Sequence, residues 1–201
     1  SAPALSLVKE GYTVALVEVN HPDVSEAIEK KQGLDSRVYA INPENRQHLD
    51  RLGVWPDEDK IQSIRRMTVW AHQNRSRFSI DAADAHITDL AWIVESCALR
   101  TAIWGKLAQY PKAHIFSSRP TCLDFDHCGV SLTLESGLVL SGHLVVGADG
   151  ARSWVRSMTH AEHRIAAYDQ CCVVGNFSVE QPHRSEATQW FRHDGVLAFL
   201  P

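Results

Sequence analysis

Residues 147–156 constrain the fold of this chain more than any other segment. They read Gly-Ala-Asp-Gly-Ala-Arg-Ser-Trp-Val-Arg and follow an apolar run at 144–146, which we predict to be a buried strand. Glycine lets a backbone approach a ligand closely, aspartate accepts hydrogen bonds from hydroxyl groups, and the N-terminus of a helix favours phosphate. With a helix predicted to open at Ser153, the segment suits a ligand that carries sugar hydroxyls and phosphates.

The same ten residues resemble the G-A-D-G-x-x-S-x-V-R signature of FAD-dependent aromatic monooxygenases with the p-hydroxybenzoate hydroxylase fold. The resemblance implies that Asp149 contacts the ribitol of FAD and that Gly150 lies near the pyrophosphate. It also implies that Arg156 ties the motif to the fold rather than touching substrate. Two alternatives stay open: the segment is an ordinary corner between a strand and a helix, or Asp149 merely caps that helix.

Composition indicates a globular protein and excludes several classes of partner. Of the 201 residues, 44% are hydrophobic, which is enough for a substantial core in one large domain or two small ones. The formal net charge is −4, and no basic block predicts binding to nucleic acid. No apolar run approaches the length that spans a membrane. The five cysteines have no framework spacing, so we predict a reducing, cytoplasmic location.

Cysteine, histidine and aspartate side chains offer two weak candidates for a metal site. The two sets are Cys122, Asp124, His127 and Cys128, and the pair His160 and His163. The first set falls in a predicted strand and turn without a second ligand pair, and the second set lacks a third ligand. We therefore predict no metal site. We also assign no catalytic residue, because no elbow motif supports a Ser-His-Asp triad.

The N-terminal residues read as the second half of a βαβ dinucleotide-binding unit. Residues 3–10 predict the end of a helix, Gly11 its C-terminal cap, and residues 13–18 a buried strand. Glu18 ends this strand, where an acidic residue binds ribose hydroxyls in such units. A G-x-G-x-x-G loop is expected about 20 residues earlier. We therefore expect that the chain begins just after such a loop; the alternative is a native N-terminus that never had one.

Residues 33–55 resemble the ubiquinone-biosynthesis hydroxylase branch of the same superfamily. That branch carries an R-x-x-A-L/I segment, then a helix, then L-G-V-W. Arg37, Ala40 and Ile41 match the first part, and residues 52–55 match the last. The resemblance implies that Arg37 lies along the FAD, whereas without the motif it would be a solvated loop cation.

Residues 89–108 show the clearest helical periodicity. One face is predicted to be buried and to include Leu90, Ile93, Cys97, Arg100, Trp104 and Leu107. A buried cation needs a partner, unless its stem carries the charge out to water. The family's R-x-x-L helix uses its arginine on the FAD phosphates, and Ile103 stands where the leucine would. The resemblance therefore implies a phosphate role for Arg100.

The remaining segments predict β structure. Residues 64–83 predict a hairpin with a polar turn from His72 to Arg77, and residues 113–146 predict short strands with glycine turns. Further strands are predicted at 170–177, 188–191 and 196–201. The last of these resembles the family's L-A-L/F-L-P strand, which implies that Phe199 and Pro201 border the substrate cavity. The family's second FAD motif, G-D-A-x-H, does not occur in these 201 residues.

These features predict an α/β fold in which a Rossmann-like FAD-binding domain is interleaved with a β-sheet substrate domain. We assign residues 1–63 and 85–160 to the former and residues 64–84 and 161–201 to the latter. The resemblance implies hydroxylation of an aromatic, phenolic ring in ubiquinone biosynthesis, with FAD as cofactor, NAD(P)H as electron donor and O2. The expected partner is a small aromatic substrate. A polyprenylated substrate would add peripheral contact with the inner membrane or with a biosynthetic complex.

Three other functions fit parts of the sequence. The same fold serves other flavoprotein reactions, such as halogenation or reduction of an isoprenoid chain, although the L-G-V-W and L-A-F-L-P segments favour the hydroxylase branch. A non-catalytic, FAD-free protein that binds a protein partner is the second. An NAD-dependent dehydrogenase is the third, and the G-A-D-G motif argues against it.

Overall fold

The structure is a computed structural model that describes residues 1–19, 35–71, 76–127, 129–159 and 161–201. It has the mixed α/β character that the sequence predicts. The helices are α1 (Ala2–Lys9), α2 (Pro43–Leu52), α3 (Ser96–Leu107) and α4 (Trp154–Met158). The strands are β1 (Val14–Val17), β2 (Val38–Ile41), β3 (Ile61–Ile64), β4 (Arg66–Ala71), β5 (Arg77–Asp81), β6 (Ala91–Glu95), β7 (Ala113–Phe116), β8 (Pro120–Asp126), β9 (Gly129–Leu134), β10 (Val139–Gly142), β11 (Glu186–Arg192) and β12 (Gly195–Phe199).

The described strands form four sheets. Strands β1 and β7 pair in parallel, as in a βαβ unit. Strand β6 lies between β2 and β3 in an antiparallel sheet, and β8, β9 and β10 form an antiparallel meander. The fourth sheet has the order β12-β11-β4-β5, in which β4 and β11 are parallel. Its strands come from two distant parts of the chain, which supports the proposed assignment of both parts to one substrate domain.

Three helices share the main hydrophobic core. Leu5 and Val8 of α1 are buried on one face, as the sequence predicts, and they pack with residues of α2 and α3. The buried members of this core are Ala4, Leu5, Val8, Leu49, Leu52, Val54, Ile103 and Leu107. Gly11 follows α1 with φ +92° and donates its N–H to the carbonyl of Val8, which ends the helix as predicted.

Helix α2 is defined at both ends by its own sequence. The Asn42 side chain accepts a hydrogen bond from the Asn45 N–H at 2.8 Å, and Pro43 occupies the first turn. Gly53 ends the helix with φ +72°. The predicted helix between the R-x-x-A-I segment and the L-G-V-W segment is therefore confirmed, whereas residues 33 and 34 lie outside the described residues.

The helix predicted over residues 89–108 is wrong in its first part. Residues 91–95 form the central strand β6, and the helix begins at Ser96. Trp92, Ile93 and Val94 are consecutive and all buried, so both faces of this central strand are covered. Within α3, Arg100 is exposed rather than part of a buried stripe, so its charge needs no buried partner.

Two predicted strands are also wrong. Residues 144–146 and 170–177 have no regular secondary structure, and Leu144 is 78% exposed and Val173 95% exposed. A strand needs a neighbour to satisfy its backbone groups, and none of the described strands pairs with either segment.

The other β predictions are confirmed. Strands β4 and β5 form the predicted hairpin, although residues 72–75 of its turn lie outside the described residues. Strand β11 contains the predicted strand 188–191, and β12 covers residues 196–199 of the predicted strand 196–201. Gly137 turns the chain between β9 and β10 with φ +83°. In the described part of the chain, no helix is long and apolar enough to cross a membrane.

Candidate cofactor site

The G-A-D-G turn packs directly against helix α4. A Cβ atom at Gly147 would lie 3.1 Å from both Cβ and Cγ1 of Val155, which is closer than most side-chain contacts allow. Gly150 has φ +84°, a conformation that other residues rarely adopt. Glycine at 147 therefore lets the turn lie close to α4, and glycine at 150 allows the left-handed conformation of the turn.

Both carboxylate oxygens of Asp149 face the first turn of α4. One accepts a hydrogen bond from the Ser153 hydroxyl, and the other accepts one from the Val155 N–H at 3.1 Å. Burial raises the pKa of Asp149, but these hydrogen bonds outweigh it, so the pKa lies below its usual value of 3.8. This arrangement is that of a helix cap, and it supports the alternative to the ribitol role.

Arg156 holds the motif together from its far end. Its Nη2 donates a hydrogen bond to the carbonyl oxygen of Ala151 at 2.6 Å, and its backbone N–H donates to the Ser153 hydroxyl at 3.0 Å. Both bonds lie within the motif, so the tie from Arg156 to the rest of the fold stays a prediction.

Glu18 lies close to the N-terminus of helix α1. Its N–H donates to the carbonyl of Phe116 at 3.0 Å, which places Glu18 at the C-terminal end of the β1–β7 pair. Burial lowers the pKa of the Ser1 amino group, while the negative charge of Glu18 opposes this change. The end of strand β1 and the start of helix α1 are thus near enough for the charge of Glu18 to act on the Ser1 amino group. This is the arrangement that a βαβ dinucleotide unit requires.

Arg37 is held beside the first turn of helix α3. The Ser96 N–H donates to the Arg37 carbonyl at 2.9 Å. Both Arg37 and Arg100, which lies about one turn into α3, are exposed. The backbone of Arg37 is therefore bound to the start of the helix that carries Arg100. This corner of the fold carries two exposed cations, Arg37 and Arg100.

Asp35 connects these two elements, a role that sequence reasoning missed. Its carboxylate accepts hydrogen bonds from the N–H groups of Arg37 and Cys97, both at 2.9 Å. Burial raises the pKa of Asp35, but these bonds bring it below its usual value of 3.8. The Asp-Ser-Arg sequence carries a local signal for this, since aspartate often binds the N–H two residues on. The bond to Cys97 joins residues distant in the sequence and had no such signal.

The two residues predicted to border the substrate cavity lie at the end of strand β12. The Phe199 ring contacts the Trp190 ring edge-to-face, with centroids 5.4 Å apart. Pro201 follows the strand and is partly buried. Their role toward a substrate stays a prediction.

The candidate metal ligands make ordinary polar contacts. The Cys122 thiol donates to Asp124 Oδ2 at 3.2 Å, which raises the pKa of that thiol. Cys128 and His160 lie outside the described residues. Across the residues that the structure describes, no group of three or more His, Cys, Asp or Glu side chains is arranged to hold a metal ion.

Comparison with known proteins relates the chain to proteins named as ubiquinol and ubiquinone hydroxylases. No family model matches the chain. The chain is 31% identical to the 3-demethoxyubiquinol 3-hydroxylase of Escherichia coli, over 100% of this chain and 51% of that protein. It is also 31% identical to the ubiquinone hydroxylase UbiL of Rhodospirillum rubrum, over 98% of this chain and 46% of that protein. The chain thus spans about half the length of these curated relatives.

Solved structures show the fold independently. The crystal structure of PqsL, a probable FAD-dependent monooxygenase from Pseudomonas aeruginosa, matches with a TM-score of 0.62 at 20% identity, over 83% of this chain and 44% of that one. The p-nitrophenol 4-monooxygenase PnpA from Pseudomonas putida matches with a TM-score of 0.56 at 22% identity, over 79% of this chain and 38% of that one. The chain belongs to the family of ubiquinone-biosynthesis hydroxylases and has the fold of FAD-dependent monooxygenases.

Proposed function

We propose that this protein takes part in the FAD-dependent hydroxylation of a phenolic ring in ubiquinone biosynthesis, with NAD(P)H as electron donor and O2. The observation that carries the proposal is that the similarity to 3-demethoxyubiquinol 3-hydroxylase covers the whole chain and includes the G-A-D-G turn packed on α4. A polyprenylated substrate would bring the protein into peripheral contact with a membrane surface.

The residues present fit FAD at two places. Glu18 and the N-terminus of α1 would hold the ribose and phosphate of the adenosine half. Asp149 and Gly150 would hold the ribitol and pyrophosphate, and the corner with Arg37 and Arg100 would add positive charge. The open space beside Gly150 supports this assignment, because nothing lies within 4 Å of a Cβ added there.

The bound cofactor would supply the oxygen-transfer chemistry. The residues of this chain would bind and orient the cofactor and the substrate, and they would exclude water from both. This determines how much of the transferred oxygen reaches the substrate. No nucleophilic side chain or metal ligand is needed for that part.

The test of the cofactor assignment is a titration of the purified 201-residue chain with FAD, followed by flavin fluorescence and ligand-observed NMR. We expect saturable but weak binding, because these residues contain no G-x-G-x-x-G sequence for the pyrophosphate. Protons of the ribose and the ribitol should receive the strongest saturation transfer. Absence of saturable binding, or binding only through the isoalloxazine ring, would contradict the assignment.

A further inference from the structure

One face of the β12-β11-β4-β5 sheet carries three rows of side chains that run across the strands. The strand register defines them as Leu197, Trp190, Trp70 and Arg77; Phe199, Thr188, Thr68 and Ser79; and Glu186, Arg66 and Asp81. The first row is mainly aromatic and apolar, the second carries three hydroxyl groups, and the third is charged. The face therefore changes from apolar to charged along the strands.

A directed chain of hydrogen bonds runs across the hydroxyl row. The Thr68 hydroxyl donates to Glu186 Oε1 at 2.6 Å, and its oxygen lies 3.1 Å from the Ser79 hydroxyl. A hydroxyl has one proton to donate, and an ionised carboxylate can only accept. Because Thr68 gives its proton to Glu186, Ser79 must donate to Thr68. The free lone pairs of the Ser79 oxygen can then only accept a hydrogen bond.

Burial distinguishes the three members of this hydrogen-bond chain. The middle hydroxyl, Thr68, is 2% exposed and Glu186 is partly buried, whereas Ser79 is exposed at the surface of β5. The neighbouring charged row is internally paired, since Arg66 donates to Asp81 through Nε at 2.9 Å and Nη2 at 2.7 Å. Ser79 is thus the end of the chain that a ligand can reach.

Aromatic side chains lie beside the hydroxyl row and at its β12 end, and they are partly open to solvent. Trp70 and Trp190 are partly exposed, and Phe199 contacts Trp190 edge-to-face. The guanidinium carbon of Arg77 lies 5.4 Å from the centroid of Trp70, which stabilises the outer end of the aromatic row. These rings offer a flat apolar surface next to an acceptor oxygen.

We propose that this face binds a phenol that carries an apolar substituent. The phenol hydroxyl donates to Ser79, and the ring and its substituent lie on Trp70, Trp190 and Phe199. Because the direction of the hydrogen-bond chain makes the Ser79 hydroxyl an acceptor, the site favours a phenol or a quinol over the corresponding quinone or ether. This inference rests on the proposed function, to which it adds the residues that select the reduced, hydroxyl-bearing form of the ring.

The test compares two probes of nearly equal shape, 4-butylphenol and 4-butylanisole, by equilibrium dialysis with the 201-residue chain. We expect the phenol to bind about three- to tenfold more tightly, the range for one net hydrogen bond. Thr68→Val should abolish this preference although Ser79 remains, because Ser79 then loses its acceptor and turns its proton outward. Thr68→Ser should restore the preference.

Two further variants complete the design. Trp70→Ala should weaken the binding of both probes by a similar factor. Thr121→Val, an exposed threonine on β8, should change neither affinity. Melting curves of all variants verify that each is folded.

Equal affinity of the wild-type chain for the phenol and the ether would overturn the proposal, as would a folded Thr68→Val variant that keeps the preference. A dimer that buries Trp70 and excludes both probes would also overturn it. The result is independent of the FAD titration. A phenol preference without FAD binding would contradict only the cofactor assignment, and FAD binding without a phenol preference would contradict only this site.

Discussion

The carboxylate of Asp149 accepts a hydrogen bond from the N–H of Val155 at 3.1 Å, while the side chain of the same valine lies against Gly147. One residue of helix α4 therefore contacts the turn at two points. Because both contacts depend on the position of the first turn of α4, the G-A-D-G turn and the helix form a single unit. Substitutions in the turn should therefore change both the stability of the helix and the affinity for any ligand that the turn holds.

The charge of Asp149 should make stability depend on pH in the acid range. Its pKa in the folded chain lies below the usual 3.8, so the stability that it contributes is present above the unfolded pKa and is lost as the pH falls through the folded pKa. We expect the melting temperature of the wild-type chain to fall more steeply between about pH 4 and pH 2 than that of Asp149→Asn. Circular dichroism melts measure this difference, with Asp57→Asn as a control carboxylate that makes no cap hydrogen bond. Parallel curves for wild type and Asp149→Asn would contradict the prediction.

Asp149→Ala separates the cap from the ribitol role. Loss of a helix cap alone costs about 1 kcal/mol of stability and leaves the affinity for FAD unchanged. If the carboxylate also holds the ribitol, the dissociation constant for FAD should rise as well. We expect both changes, to be measured by urea unfolding and by FAD titration of the same preparation. A lowered stability with unchanged FAD affinity would leave the cap as the sole role.

Glu18→Ala should weaken the binding of FAD by about 1–3 kcal/mol, the scale for losing charge-assisted hydrogen bonds to ribose hydroxyls. The matched control is Glu10→Ala, an exposed glutamate just after α1. The same FAD titration gives the dissociation constants of the two variants for comparison. If Glu18→Ala and Glu10→Ala behave alike, Glu18 is only a carboxylate at the end of a strand.

Two glycines should respond to alanine in opposite directions. Gly105 lies in α3 with nothing within 4 Å of an added Cβ, so Gly105→Ala should stabilise the chain by about 0.5–1 kcal/mol. Gly129 has φ +148°, and an added Cβ would lie 2.2 Å from the carbonyl oxygen of Gly142, so Gly129→Ala should be strongly destabilising. Urea unfolding of the two variants checks this, and a stable Gly129→Ala would show that β9 can shift relative to β10.

Local signals in the sequence predicted those elements whose stability is local. Asn42 and Pro43 begin α2, and Gly53 ends it, because caps and left-handed conformations involve neighbouring residues only. The spacing of Leu5 and Val8 likewise indicated the buried face of α1. In the candidate site, the motif singled out Asp149 and Arg156, and in the structure Arg156 binds Ala151 within the same motif.

Residues 91–95 show why periodicity alone was insufficient. Leu90 and Ile93 fit the helical spacing that continues to Leu107, whereas the choice of strand for residues 91–95 comes from the two strands that flank β6. The same principle explains Leu144, which has the apolar character of a strand residue but no partner strand among those described.

The sequence by itself determined the residue types, the caps and the two-residue alternation of each strand, together with the motif that relates the chain to its family. The tertiary structure alone decided that Thr68 lies between Ser79 and Glu186, and that Asp35 reaches Cys97. The reason is that strand alternation specifies which residues share a face, but not which strand lies alongside or in which register. Thr68 and Glu186 are far apart in the chain, and their contact depends on the parallel pairing of β4 with β11, which arises only when the whole sheet assembles.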